Sequence, residues 1–287
     1  MIPASFEYHR PERLDDAIAL LAKHGDDARV VAGGHSLIPM MKLRMATPGH
    51  LVDLQALAEL RQIRTEGSTL IIGAMTTQHD LIGSDLVAKT CPVLPETALV
   101  IADPQVRYCG TIGGNVANGD PGNDMPALMM ALGATYRVKG PGGERDLPAR
   151  DFYKGAYATA LKDGEILTAI RIPVPPAGHG WAYEKQKRKI GDYATAAAAV
   201  ILTMRQGSCT AAAIALTNVG ETPLFAAGAG EALVGSKVDA AAIAEAARRA
   251  EAIAQPVADG RGPADYRKHV AGVMVRRAIA RAKARTA

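Results

Sequence analysis

The chain has 287 residues, of which 48% are hydrophobic and 22% charged, with a formal net charge of +4. That make-up excludes a disordered chain and leaves room for two packed domains. The small, dispersed charge and an aromatic content of 4% argue against nucleic-acid binding, and no apolar run reaches the roughly 18 residues of a membrane span.

The N-terminus, Met1-Ile2-Pro3-Ala4-Ser5-Phe6-Glu7, lacks a charged-then-apolar export signal, so a cytoplasmic location is expected. The first predicted element is a helix over 11–24, in which Leu14, Ala17, Ile18 and Leu21 share one face, with Pro11 in the first turn and Gly25 past the end. Arg29 to Ala32 reads as a short buried strand that enters the glycine pair of Ala32-Gly33-Gly34-His35-Ser36. A helix over 37–45 and a strand over 51–54 follow, which makes a small, partly parallel lobe over about 1–55. Its loop then lies at a strand's carboxyl end, where ligands of α/β sheets commonly sit.

A second, mixed α+β lobe over about 63–172 begins with the strand Thr69 to Ala74, after which Thr77 and Ser84 are expected to cap two helical turns. Helical pattern resumes over 93–101. Ala102-Asp103-Pro104-Gln105-Val106-Arg107 is expected to break it and deliver the chain to a second glycine pair, Thr111-Ile112-Gly113-Gly114-Asn115. Asp124 opens a helix to Leu132, and 134–138 with 144–147 form a hairpin across Gly140-Pro141-Gly142-Gly143. A strand over 166–172 completes the lobe. Pro173, Pro175 and Pro176 mark a boundary, dividing the chain into 1–176 and 177–287. The second part is expected to hold a three-stranded antiparallel sheet, 181–185, 194–204 and 210–216, and helices over 226–234, 240–254 and 263–284. Alanine richness favours helix for 194–199, and the Gln206-Gly207-Ser208 turn with its β-branched neighbours argues for strand.

The two glycine pairs are expected to be an anion cradle. A glycine can take φ > 0 and lets backbone approach a ligand, so successive N–H groups can converge on phosphate. Ser36 would add a hydroxyl and a helix N-cap. Either pair alone is more simply a tight turn; two of them, followed by the acidic turn Gly119-Asp120-Pro121-Gly122-Asn123-Asp124, fit a two-phosphate dinucleotide better.

These same residues, Ala32 to Pro39 and Thr111 to Asn115, with Gly73-Ala74-Met75-Thr76-Thr77, Asp151-Phe152-Tyr153 and Gly164-Glu165-Ile166-Leu167, resemble the FAD-binding motifs of the flavoprotein subunit of the molybdenum hydroxylases. The likeness covers essentially the whole chain and points to the carbon monoxide-oxidising branch. It implies the two-lobed FAD-binding domain of the vanillyl-alcohol-oxidase type, followed by a small domain of sheet and helices. It further implies FAD as cofactor, a small [2Fe–2S] subunit as electron donor, and a large molybdenum–copper subunit where the substrate is oxidised. The assembly would be a dimer of heterotrimers that reduces a quinone or similar acceptor. Peripheral association with the inner membrane face is compatible with this. The resemblance leaves a xanthine, aldehyde or nicotinate enzyme as the alternative.

On that resemblance the cofactor would be held by Ala32, Gly33, Gly34, His35, Ser36, Leu37, Ile38, Ala74, Thr77, Ile101, Thr111, Ile112, Gly113, Gly114, Asn115, Asp124, Leu167, Lys185 and Tyr193. Several have ordinary roles open beside this one. His35 is a contact or a turn former, Asp124 a contact or a helix cap, Lys185 a flavin neighbour or part of a solvated basic strand, and Tyr193 a lid or a packed aromatic. Leu37, Ile38, Ile101 and Leu167 are core residues on pattern alone. The basic C-terminal helix, with Arg276, Arg277, Arg281, Lys283 and Arg285, complements its own dipole or docks an acidic partner.

No hydrolytic triad, H-E-x-x-H helix or Walker loop is present. Cys91, Cys109 and Cys209 are isolated, which suits buried small residues rather than metal or disulfide chemistry, and the seven histidines show no short-range ligand spacing. No metal site and no catalytic acid or base is expected; redox chemistry would reside in the cofactor. A standalone flavin oxidase would need a larger substrate domain than the residues after Pro176 provide. A scaffold with a vestigial nucleotide site is the remaining class.

Overall fold

The computed structural model describes residues 1–286. The N-terminal lobe contains β1 (Glu7–His9), α1 (Leu14–His24), β2 (Ala28–Val31), α2 (Leu37–Lys42) and β3 (His50–Asp53). Its sheet runs β1-β3-β2 and is parallel throughout. Sequence pattern missed β1 because Glu-Tyr-His carries no apolar alternation. Ala17, Ile18 and Leu21 of α1 are buried in a core with Val52 and Leu54, as their spacing requires. The helix opens at Leu14 rather than Pro11, with Asp15 and Asp16 in its first turn, where they complement the helix dipole.

The second lobe begins with β4 (Ile63–Glu66) and β5 (Thr69–Gly73). Helices α3 (Gln78–Gly83), α4 (Asp85–Thr90), α5 (Val93–Leu99), α6 (Pro104–Cys109) and α7 (Ile112–Ala117) follow. After them come α8 (Asp124–Ala131), β6 (Thr135–Gly140), β7 (Gly143–Pro148), α9 (Ala149–Phe152), β8 (Tyr153–Gly155), β9 (Ala158–Thr159) and β10 (Ile166–Pro173). The main sheet has the order β4-β5-β10-β6-β7 and is antiparallel. Thr77 caps α3 in a reciprocal box with Asp80, and Ser84 caps α4.

Between α5 and α8 the expected helix break occurs, but with more structure than expected, and the expected glycine loop is absent. The 102–107 stretch is no simple break: Ala102 turns the chain with φ 45°, Asp103 accepts the Val106 N–H, and Pro104 opens α6. The second glycine pair is not a loop either, because Thr111 caps α7 by accepting the Gly114 N–H, and both glycines lie in its first turn. An Asx-Pro step and a Thr before a small-residue run are helix starts as readily as breaks.

The remainder comprises β11 (Gly180–Gln186), β12 (Ala196–Arg205), β13 (Ser208–Thr217), β14 (Leu224–Phe225), α10 (Ala227–Glu231), α11 (Ala240–Ile253) and α12 (Ala264–Ala284). The sheet is four-stranded, β11-β12-β13-β14, one short strand more than expected. Alanine in β12 serves a sheet buried on both faces. Ala197 and Ala199 join the core of the second lobe, while Ala196, Ala198, Val200 and Leu202 pack with Ala271, Met274, Val275 and Ile279 of α12. Small side chains allow helices to approach both faces, and this packing overrides helix propensity.

Two members of the C-terminal basic stripe, Arg281 and Arg285, find acidic partners within the chain. Arg281 lies 3.1 Å from Glu96 and 2.7 Å from Glu184, and Arg285 lies 2.8 Å from Glu96 and stacks over Trp181. Cys109 is exposed at the end of α6, against expectation, whereas Cys91 and Cys209 are buried. Burial pushes the Cys91 thiol up to about 12, so it stays an inert small hydrophobe at neutral pH.

Arg145 clamps Glu165 with two charge-assisted bonds of 2.8 and 2.7 Å and also donates to the Ala160 carbonyl. The Arg145 bonds hold the Glu165 carboxyl below its ordinary value against the opposing effect of burial, with help from the Lys162 N–H. A carboxyl depressed in the folded state stabilises above its unfolded value, about 4.3, and that contribution disappears as pH falls through the lower folded value. Denaturation midpoints should therefore favour wild type over Arg145→Met clearly at pH 6 and less so near pH 3. A difference independent of pH would mean that only the Ala160 bond matters.

Candidate functional site

A cleft of about 760 Å3 lies among the 32–37 loop, the starts of α7 and α8, β10 and the 191–193 turn. Ligand pockets commonly span about 300–1,000 Å3. Of the residues expected at a cofactor site, all line this cleft except Ile38, Thr77 and Ile112. Ile112 is fully buried, Thr77 is committed to its capping box, and Ile38 packs behind Gly34.

The first glycine loop has the character of an anion cradle. Among the described residues, the N–H groups of Gly33, Gly34, His35, Ser36 and Leu37 donate to no acceptor within the chain. Gly34 has φ +75°, which turns the backbone so that successive N–H groups can converge. Ser36 stands at the N-cap position of α2 without making a cap bond, contrary to expectation. Its hydroxyl is consequently available to a ligand. No lysine or arginine occurs between Arg29 and Lys42, so anion binding at this loop rests on backbone N–H groups and the hydroxyl.

The second glycine pair works differently. Ile112 donates to the Thr76 carbonyl, Gly113 to that of Ala74 at 2.9 Å, and Gly114 to the Thr111 hydroxyl. Those N–H groups are already satisfied and cannot serve a phosphate. A Cβ at Gly113 would sit 2.5 Å from the Ala74 carbonyl oxygen, and one at Gly33 would sit 2.4 Å from that of Cys109. Both glycines permit protein backbones to touch, which is a different reason from the ligand approach that the sequence suggested. The pair's contribution to the cleft is therefore a wall, with the Asn115 side chain: its oxygen accepts the Met125 N–H, which leaves its NH2 to donate.

Asp124 occupies the first helical position of α8, not the cap, which is Asn123. Its carboxylate accepts the Lys185 ammonium at 2.7 Å and the Tyr183 hydroxyl at 2.6 Å. The Lys185 and Asp124 side chains are 3% and 5% exposed, which discards the solvated reading of Lys185. The ammonium also donates to the Val100 carbonyl, and the Tyr183 hydroxyl pairs with Thr217. Burial first, and the Asp124 charge second, raise the Tyr183 phenol well above its ordinary value, so it remains a donor. Burial, reinforced by Lys185, holds the Lys187 ammonium below its usual value.

Tyr193 is 40% exposed at the rim, packed against Gly122, with the Arg261 guanidinium 5.7 Å from its ring. His35 is exposed and Leu37 half-buried beside it. Ile101 and Leu167 add apolar wall. Asn118 and Tyr157 also line the cleft, unanticipated from sequence. Asn118 had a signal, since it stands three residues after Asn115 and so shares that helix face. Tyr157, held at φ 58°, had none. The cleft thus offers orphan backbone donors at one end and apolar walls beside a buried ion pair, and it accommodates a long ligand bearing phosphates.

Comparison with known proteins agrees. Residues 4–175 match the family of the FAD binding domain in molybdopterin dehydrogenase, and residues 181–282 match the CO dehydrogenase flavoprotein C-terminal domain. The chain belongs to this family of FAD-binding subunits. It is 65% identical to the carbon monoxide dehydrogenase medium chain of Afipia carboxidovorans, over 99% of both chains. Identity to the corresponding chain of Hydrogenophaga pseudoflava is 50% over the full length of both. A crystal structure of the cyanide-inactivated Cu,Mo-CO dehydrogenase superposes with a TM-score of 0.99 over 100% of both chains, at 65% identity.

Proposed function

We propose that this chain is the FAD-carrying medium subunit of a molybdenum-containing carbon monoxide dehydrogenase, placed between the [2Fe–2S] clusters of a small subunit and a quinone or similar acceptor. The observation that carries the cofactor assignment is the run of orphan N–H groups over 33–37, which a pyrophosphate would satisfy. Full-length identity of 65% to a carbon monoxide dehydrogenase medium chain supports the substrate of the whole enzyme.

Bound in the cleft, FAD supplies the capacity to exchange electrons singly or in pairs, which links one-electron clusters to a two-electron acceptor. The chain's own residues hold and orient. Gly33 to Leu37 would bind phosphate oxygens through N–H groups, with Ser36 and Asn115 as further donors. Leu37, Ile101, Leu167 and Tyr193 would exclude water from apolar ring surface. Asp124, fixed by Tyr183 and Lys185, would accept from the nucleotide, and the Lys185 ammonium would sit beside it as a fixed positive charge. Among the described residues no helix is long and apolar enough to cross a membrane; a cytoplasmic complex of two heterotrimers is the assembly this reading implies.

Purified from its native complex and denatured, the chain should release one equivalent of FAD, identified by mass spectrometry and absorbance. Release of FMN, or of no flavin, would remove the cofactor assignment.

A further inference from the structure

Three histidines remote in sequence meet on the N-terminal lobe. His9 ends β1, His24 ends α1 and His50 begins β3, and one ring nitrogen from each lies within 4.8 Å of the others. The rings are stacked, with His24 and His50 centroids 3.6 Å apart and His9 5.3 Å from His50. His9 Nε2 is 3.1 Å from His50 Nδ1. That is close to the roughly 3.3 Å that separates two nitrogens on a tetrahedral zinc with bonds of about 2.0–2.1 Å. His24 Nε2 is buried and has no hydrogen-bond partner, an uncommon state for a buried polar atom.

Carboxylates complete the arrangement. Glu7 is the register partner of His50 across β1 and β3, and its Oε2 lies 3.4 Å from His50 Nδ1 and 3.8 Å from His9 Nε2. On the far side of the His50 ring, Asp27 Oδ2 is 3.9 Å from Nε2, while its Oδ1 accepts the Gly49 N–H at 2.8 Å. At that distance Asp27 is a charged neighbour of the His50 ring and not a hydrogen-bond partner.

From this geometry we infer a divalent transition-metal site, selective for zinc-like ions, with His9, His24 and His50 as ligands and the exposed Glu7 carboxylate, which neighbours His9 and His50, as the group that would turn in to the fourth position. Nitrogen ligands with one carboxylate suit zinc, cobalt or nickel rather than calcium or magnesium. The metal would join β1, the end of α1 and β3. Its role would be structural, since β1 is an edge strand of three residues held by a single neighbour.

The test uses the tag-free full-length chain, stripped with chelator and titrated with Zn2+ and Co2+. One equivalent of Zn2+ should bind at micromolar or tighter affinity, Co2+ should give the visible bands of a tetrahedral complex, and the melting temperature should rise on zinc addition. His24→Gln and His50→Gln should each weaken zinc affinity by about 100-fold or more, with flavin content unchanged. Zinc-edge X-ray absorption on the wild type reports imidazole ligands even where a variant folds poorly. Absence of stoichiometric uptake, or affinity unaltered in both folded variants, overturns the site. Neither outcome bears on the cofactor assignment, which rests on a different part of the lobe.

Discussion

Replacing Gly33 or Gly113 by valine is expected to cost the protein its flavin and more than about 4 kcal/mol of stability, the range reached only by severe core disruption. The first Cβ would lie 2.4 Å from the Cys109 carbonyl and 2.7 Å from the Gly110 Cα, the second 2.5 Å from both the Ala74 carbonyl oxygen and its Cβ. No rotamer relieves a collision with backbone, so the 32–37 loop must separate from the 109–110 segment, or α7 from the end of β5. Either movement dismantles the cleft. Gly34→Ala is the milder control: its Cβ meets only the Ile38 and Val31 side chains, at 3.2 Å and beyond, and its penalty comes mainly from φ +75°. Gly114→Val is intermediate, since its nearest neighbour is the Thr111 hydroxyl at 2.9 Å. Flavin absorbance per chain together with thermal melting ranks the four. A Gly113→Val protein that melts at the wild-type temperature with full flavin would show that α7 can shift without consequence.

Lys185→Met should destabilise the chain by about 3–5 kcal/mol, because it leaves the Asp124 carboxylate buried with only the Tyr183 hydroxyl for compensation. The pair joins α8 to β11, so the loss falls on the contact between the second lobe and the C-terminal sheet. Asp124→Asn combined with Lys185→Met removes both charges and should recover a large part of the loss, as a double-mutant cycle in urea would report. Equal losses in the single and double variants would mean that packing, not charge, holds this junction. The buried pair also changes what Asp124→Ala tests. The substitution removes an ion-pair partner rather than a cap, so its cost should exceed the roughly 1 kcal/mol of a lost N-cap.

Much of the fold was legible where one physical signal dominated. The spacing of Ala17, Ile18 and Leu21 marked α1, the Gly-Pro-Gly-Gly turn marked the β6–β7 hairpin, and the glycine at 207 set the register of β12 against β13. The sequence was less informative where tertiary partners decide. Glu7–His9 becomes a strand only because β3 offers it an edge, and Ala196 to Ala199 is strand only because helices cover both faces. At the cleft, residue identities were readable and their duties were not. Both glycine pairs look alike in one dimension. Only the structure separates the one with orphan N–H groups from the one whose N–H groups are satisfied by Thr76, Ala74 and Thr111. Lys185 sat in a run of basic residues that pattern assigns to solvent, yet its partner is 61 positions away. His9, His24 and His50 show no ligand spacing because β1, α1 and β3 assemble the cluster from three separate elements.

The electron-relay assignment is tested most directly by mixing the anaerobic, oxidised complex with carbon monoxide and following the flavin band by stopped flow, beside the isolated FAD-loaded chain. Carbon monoxide offers no hydride or acidic proton, so its oxidation requires a metal that binds carbon and delivers an oxygen nucleophile, and this chain's proposed role supplies no such step. The complex should bleach its flavin with carbon monoxide and recover it with a quinone, while the isolated chain should respond only to a chemical reductant. Flavin reduction by carbon monoxide in the isolated chain would contradict the relay, and a complex whose flavin responds only to a purine or an aldehyde would contradict the substrate.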